Sequence, residues 1–343
     1  MNRIPTLDGW RGIAIALVLF DHIQYSQLLH YAEPWTQTGQ HGVTIFFVLS
    51  GFLITSKLIE GPISLKRFYL RRFFRLMPAA WVYLAAILLI DRVSGSHLTS
   101  LAGVWSCLFF YRNFTGMIGG GITGHFWSLS LEEQFYLVWP CILLLAGIRR
   151  SRWIAVAGAV GCAAYRWLYW AYYDRNLLDN QSQVRADALL VGCLMGLLFA
   201  DPRILSTITR GSKFCALPAF AVLLFCIAHC HWLAPLYESI AVACLIAATA
   251  LHPSSVFALP LSFTPLAWLG TISYSLYIWQ EIFMLHHHPF VICIGLPIFA
   301  LGSYYFIERP ATRFGHLLTK EPNPKWSEVN KEVAFASRIN ESN

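Results

Sequence analysis

Three groups of residues in this sequence have the types and spacing to do chemistry, and all three lie beside or inside apolar runs. In TLDGWRGIAIALVLFDHI, Asp8 and Arg11 precede nine apolar residues, and Asp21 and His22 follow them. Arg11 and His22 are eleven positions apart, three helical turns or roughly 16 Å, so both lie near one helix face. An imidazole titrates near neutral pH and suits proton transfer to or from a hydroxyl. In SLKRFYLRRFFRLMP, Arg71, Arg72 and Arg75 offer planar guanidinium groups that match phosphate oxygens, with Arg72 and Arg75 on one face if the run is helical. In GHFWSLSLEEQFYLVWP, His125, Ser128, Ser130, Glu132, Glu133 and Gln134 sit at the entry to an apolar helix.

Each group also has a plain structural reading. Arg11 and His22 can snorkel to opposite interfaces. The basic run is what an inner-face anchor requires. Ser130 followed by Glu133 has the spacing of a helix capping box. Arg185 with Asp187, and Glu308 with Arg309, read as interfacial pairs. Cys226 and Cys230 with His229 and His231, and the consecutive His286, His287 and His288, lack the paired spacing of a zinc site, so no metal is expected. The nine cysteines lie in apolar stretches and read as small buried hydrophobes.

The elements that must position these groups follow from composition. The chain has 343 residues, 57% hydrophobic and only 13% charged. A soluble domain carries about 25% charged residues. This chain is therefore read as all-α, a polytopic membrane helical bundle. Spanning helices need roughly 20 mostly apolar residues, and ten candidates fall near 5–25, 42–59, 77–91, 126–147, 153–173, 186–200, 214–232, 237–251, 266–285 and 290–307. The first is expected to stay uncleaved. The net charge of +7 sits mostly in short basic runs between apolar segments, which encodes orientation and makes nucleic acid an unneeded partner. Basic residues cluster at 57–75, 149–152, 203–213 and after Arg309. They share one side only if the short apolar piece Leu98–Tyr111 does not cross, so that piece is expected to be re-entrant or interfacial, with both termini cytoplasmic. Residues 1–319 form the membrane domain, and the polar tail 320–343 is expected to be a mobile extension. No helix-length repeat is visible, which weighs against the alternative of a polar-solute transporter.

Taken in order, LDGWRGIAIALVLFDHI, GVTIFFVLSGFLIT, KRFYLRRFFRLMP, HFWSLSLEEQFYLVWP, VRADALLVGCLMG, LGTISYSLYIWQ and FIERP resemble the acyltransferase 3 family of integral membrane acyltransferases. The resemblance runs from about residue 4 to 310. It implies essential roles for Arg11 and His22, and Arg72 and Arg75 as the family's paired arginines. It implies acetyl-CoA or another acyl-CoA as cytoplasmic donor, a bacterial inner membrane, and a hydroxyl acceptor on a glycan, lipid-linked sugar or lipo-oligosaccharide. A small secreted metabolite such as a macrolide is the alternative acceptor. The expected catalytic set is His22 as base, Arg11 as oxyanion or pantetheine ligand, and Glu133 as the carboxylate orienting His22. Arg71, Arg72 and Arg75 are expected to hold the CoA phosphates, and Asp8, Trp127, Ser128, Glu132 and Gln280 to contact substrate. Gln280 departs from the family, which often carries histidine there. The soluble domain that follows the last helix in longer members has no counterpart expected here.

Overall fold

The computed structural model describes residues 4–25, 38–61, 64–115, 121–172, 180–229, 236–284 and 290–319. Twelve α-helices make up these segments, with short 3₁₀ and π-helical turns between some of them. They are α1 (Pro5–Tyr25), α2 (Thr38–Ile59), α3 (Leu65–Ser94), α4 (Leu101–Leu108), α5 (Phe126–Tyr172), α6 (Ser182–Phe199), α7 (Pro202–His229), α8 (Leu236–Leu251), α9 (Thr264–Thr271), α10 (Ser273–Met284), α11 (Leu296–Ser303) and α12 (Arg309–Leu318). No strand occurs among the described residues. The all-α membrane bundle read from composition is what the chain forms.

Six of the described helical stretches are long and apolar enough to cross a membrane. The ten-span expectation matches the chain at one place and differs at others. Segments 126–147 and 153–173 are the two arms of α5, which breaks at Gly147, whose φ of 71° and ψ of 170° lie outside helical geometry. Segment 266–285 is instead two helices, α9 and α10, that part at Ile272. α1 carries Asp8, Arg11 and Asp21 within 21 residues, and α8 has 16 residues. The basic run is helical. It is the first three turns of α3, which starts at Leu65 with the Ser64 hydroxyl accepting from the Arg67 amide. Helix α4 has eight residues, about 12 Å, too short to cross. The tail 320–343, the three histidines 286–288, and Cys230 with His231 lie outside the described residues.

Helices α2 and α6 cross at the centre of the bundle because glycines let their backbones touch. A Cβ at Gly51 would collide with the Leu189 carbonyl, and one at Gly192 with the Val48 carbonyl. In lipid, where no hydrophobic force drives helices together, such close backbone packing is a principal source of association. Indole donors pin further pairs: Trp10 Nε1 donates to Thr249 Oγ1 at 2.9 Å, joining α1 to α8, and Trp139 Nε1 donates to Thr55 Oγ1 at 2.9 Å, joining α5 to α2. One buried ion pair and one buried hydrogen bond complete the frame. Arg166 Nη2 lies 2.8 Å from Asp187 Oδ2, and His41 Nδ1 lies 2.9 Å from Glu238 Oε1. Asp187 is thus paired across helices with Arg166 and not with its neighbour Arg185, which reaches Gln40 Oε1 at 3.1 Å.

Between residues 290 and 319 the chain is continuously helical, but π-helical turns at Val291–Gly295 and Tyr304–Glu308 interrupt the α-helical spacing. Glu308 ends the second of these turns and accepts from the Ser275 hydroxyl at 2.8 Å, so it is not tied to Arg309 as an interfacial pair. Arg309 instead lies over the Tyr305 ring, 6.0 Å from its centroid.

Candidate active site

A cavity of about 940 Å³ opens among α1, α2, α3, α5, α10 and α12. The N-terminal half of α1 contributes Asp8 and Arg11, with Arg11 Nη1 3.0 Å from Asp8 Oδ1. Its α3 wall carries Arg67, Arg71, Arg72 and Arg75, and its α5 wall Ser128, Glu132 and Tyr136. Eight arginine and lysine side chains line it in all, against four carboxylates.

Arg72 is the most heavily engaged of these cations. Its Nε lies 3.0 Å from Glu133 Oε1, its Nη2 3.6 Å from Glu132 Oε2, and its guanidinium carbon 3.2 Å from the Tyr136 ring centroid. Ser50 Oγ donates to Glu132 Oε1 at 2.9 Å, tying α2 into the cluster. These groups are mostly buried, and two adjacent carboxylates are tolerable there because a guanidinium lies against both. Arg71 is exposed and donates to Thr319 Oγ1 at 2.7 Å. Arg75 is half-buried and makes no ion pair among the described residues.

His22 sits at the other end of α1, three turns from Arg11, and is not part of the cavity lining. The carboxylate that holds it is Glu281 of α10. Glu281 Oε1 lies 3.0 Å from His22 Nε2, and the other ring nitrogen, Nδ1, donates to the Val18 carbonyl at 2.8 Å. Glu133 does not orient His22, because Arg72 holds its carboxylate; Asp8 is held by Arg11. The capping-box reading of Ser130 and Glu133 is also set aside. α5 begins at Phe126, so both lie within the helix, and Ser130 Oγ accepts from the Arg112 amide at 3.3 Å.

α10 joins the cavity to the histidine. Tyr277 lines the cavity, and Glu281 lies one turn further along the same face. The Tyr277 hydroxyl donates to the His125 carbonyl at 2.8 Å and lies 2.5 Å from Ser128 Oγ. The His125 ring is buried against Tyr83, Phe126 and Tyr277, with its Nδ1 4.0 Å from Glu281 Oε1. Of the remaining expected contacts, Trp127 stands outside the cavity lining, edge-on to Phe47 at 6.0 Å. Gln280 is fully buried, is absent from the lining, and neither side-chain amide atom has a hydrogen-bond partner among the described residues. No group of three His, Cys, Asp or Glu side chains among the described residues is placed to hold a metal ion.

Glu281 is the residue that sequence reasoning overlooked. The signal was present, since an acid inside SYSLYIWQEIFM is an ionisable residue in an apolar helix and a site hypothesis by default. Lys57 and Arg313, which also line the cavity, read in sequence as anchoring charge, and Arg309, lining it too, as half of an interfacial pair with Glu308.

The acyltransferase 3 family profile, an acyltransferase domain, matches residues 4–310. Among curated proteins the chain is similar to a putative peptidoglycan O-acetyltransferase, YrhL, of Bacillus subtilis, at 32% identity over 90% of this chain and 54% of the relative. It is similar to the peptidoglycan O-acetyltransferase OatA of Listeria monocytogenes at 28% identity, covering 86% and 50%. A putative O-acetyltransferase of Staphylococcus aureus matches at 28% identity, covering 92% and 58%. The chain spans about half the length of the curated relatives it matches. No solved structure matches. With the profile covering nearly every described helix, the chain belongs to the acyltransferase 3 family.

Proposed function

We propose that the protein is a multi-pass membrane O-acyltransferase that moves an acetyl or other short acyl group from acyl-CoA to a hydroxyl of a glycan, with the cationic cavity as the donor site and the His22–Glu281 pair as the proton-transfer centre. The observation that carries this reading is the 3.0 Å contact between His22 Nε2 and Glu281 Oε1, one helical turn along α10 from a cavity wall. The family membership and the peptidoglycan O-acetyltransferase names of two relatives support the reaction class and a glycan acceptor. By the positive-inside tendency, the arginine-rich end of the cavity faces the cytoplasm, where acyl-CoA is made, and His22 lies toward the opposite face of a bacterial inner membrane.

The chemistry follows from the hydrogen bonds. A carbonyl only accepts, so the bond to Val18 fixes the proton on Nδ1 and leaves Nε2 as the reactive nitrogen. The pair acts as base in the form with one proton on Nδ1, a lone pair on Nε2 and Glu281 as the carboxylate. An acceptor hydroxyl entering beside them gives its proton to Nε2 as its oxygen attacks the thioester carbonyl. The C–O bond forms, the C–S bond breaks, and the proton returns to the departing CoA thiolate. Glu281 stabilises the imidazolium in between, as a carboxylate beside a cation does. Arg11, at the donor side of the same helix and three turns from His22, meets the pantetheine arm.

Two measurements test this. Reconstituted protein is given acetyl-CoA and a glycan acceptor, and His22→Ala is expected to abolish transfer while the protein still inserts. Full activity of that variant ends the proposal. Mass spectrometry of cell-envelope glycans from deletion and parent strains is expected to reveal a missing acyl substituent, which names the acceptor.

A further inference from the structure

The acyl-transfer reading, on which this inference rests, leaves open which side chains recognise the polar end of the thioester. α3 with 30 residues and the stretch 291–318 with 28, about 45 and 42 Å long, both overrun the hydrocarbon thickness of about 30 Å. Their ends run on together. The Phe74 and Phe314 rings meet edge-on with centroids 5.2 Å apart, and Gly315 lies so near Phe74 that a Cβ there would be 2.8 Å from the Phe74 Cβ. On one side α12 exposes Phe314, Leu317 and Leu318. On the other, Arg309, Thr312, Arg313 and His316, at the i, i+3, i+4, i+7 spacing of one helix face, line the cavity. Lys57 of α2 and Arg75 of α3 line the same cavity.

An inner-face anchor would explain basic residues pointing outward at lipid headgroups. It does not explain cations from three helices converging on one concavity. None of Arg309, Arg313, Lys57 and Arg75 makes an ion pair among the described residues, and the charges nearest Lys57 include Arg75, Arg11 and Arg72, with Glu60 of opposite sign. Converging like charges repel unless an anion lies among them. Arg72 is different, being matched already by Glu132, Glu133 and the Tyr136 face.

We propose that Arg309 and Arg313 of α12, with Lys57 and Arg75 across the cavity, form the phosphate-recognition edge that takes the nucleotide phosphates of a CoA thioester, and that Arg72 is a positioning residue for Glu132 and Glu133. The ligand chemistry is a cluster of phosphates on a single molecule. Anionic lipid headgroups are the other source of that chemistry, and the test separates them.

The experiment compares acetyl-CoA with acetyl-pantetheine, which carries the same thioester without the nucleotide, using the full chain in vesicles of neutral lipid and in vesicles containing phosphatidylglycerol. The double variant Arg309→Gln/Arg313→Gln is expected to raise KM for acetyl-CoA by about tenfold or more, the loss that one charge-assisted phosphate contact implies. KM for acetyl-pantetheine is expected to stay within about twofold in both vesicles, and Arg309→Lys/Arg313→Lys to recover part of the acetyl-CoA affinity through its charge. Equal shifts for both donors indicate a structural role and overturn the proposal, as does no shift for either. A shift that appears only with phosphatidylglycerol assigns the cations to lipid and also overturns it. Failure of the wild-type protein to transfer from either thioester sinks the acyl-transfer reading itself, a result distinct from equal use of both donors.

Discussion

Glu281 Oε1 and His22 Nε2 lie 3.0 Å apart, joining the last turn of α1 to the last turn of α10, while Nδ1 on the opposite side of the same ring donates to the Val18 carbonyl. Both nitrogens of the imidazole are therefore held, and its orientation is fixed before any substrate arrives. A general base held in this way contributes about 10²–10⁴-fold to a proton-transfer step, so His22→Ala is expected to lose that much kcat. Glu281→Gln removes the charge and keeps the shape, and a fall of about 10–100-fold is expected, in proportion to a charged hydrogen bond. Donor KM should barely move in either variant. The two losses should not add in the double variant, since the residues act as a unit. Steady-state kinetics with acetyl-CoA check all three; additive losses would separate the two residues.

Arg72 offers a stability prediction. Arg72→Gln leaves Glu132 and Glu133 adjacent, mostly buried and without their cation. Breaking a buried pair costs about 3–5 kcal/mol, and partial exposure here reduces this to about 2–3 kcal/mol. A lower Tm in detergent is expected, with part of the loss restored in Arg72→Gln/Glu133→Gln. Arg75→Gln, which breaks no ion pair, should leave Tm in place and raise donor KM. Matching Tm values for the Arg72 and Arg75 variants would contradict this division.

A second stability test lies in the frame. Arg166 and Asp187 are both buried, so Arg166→Ala strands a carboxylate among α5 and α6. A loss of about 3–5 kcal/mol is expected. Arg185→Ala should not reproduce it if Asp187 depends on Arg166. Chemical unfolding of the two variants side by side settles the point.

Gly51→Ala should act through backbone contact alone. The added Cβ meets the Leu189 carbonyl, and overpacking of this kind costs about 1–3 kcal/mol. Because α2 carries Ser50 beside the glycine, a shift of α2 away from α6 also moves a ligand of Glu132. Reduced Tm together with reduced donor affinity is the expected result, measured by thermal unfolding and by titration with CoA. An unchanged Tm would show that the crossing relaxes freely.

How much of this was legible in the sequence depended on whether a residue's partner was local. The apolar runs announced an all-α membrane bundle, since hydropathy is a property of the segment itself. That His22, Arg72 and the Glu132–Glu133 pair are ionisable groups in apolar surroundings was visible from residue type and setting. Their pairing was not. Glu133 seemed free to orient His22 because nothing in the sequence shows that α3 carries Arg72 to it, or that α10 carries Glu281 to the histidine. Asp187 likewise had Arg185 as its obvious neighbour, and an α5–α6 contact gave it Arg166. The break at Gly147 was legible as well, because the basic run at 149–152 already parted two apolar segments there. Gln280 was read as a substrate contact, and the structure buries its amide with no hydrogen-bond partner among the described residues.

The π-helical turn at Tyr304–Glu308 gives the last span a particular vulnerability. A wide turn holds one residue more than an α-turn, and every later side chain is rotated by about 100° relative to an uninterrupted helix. Removing a single residue from this turn would restore regular winding and swing Arg309 and Arg313 away from the cavity toward the headgroup layer, with no charge deleted. The azimuth of the final helix is thus written upstream of it, in a five-residue irregularity, and a gap in that place would silence the arginines as thoroughly as mutating them.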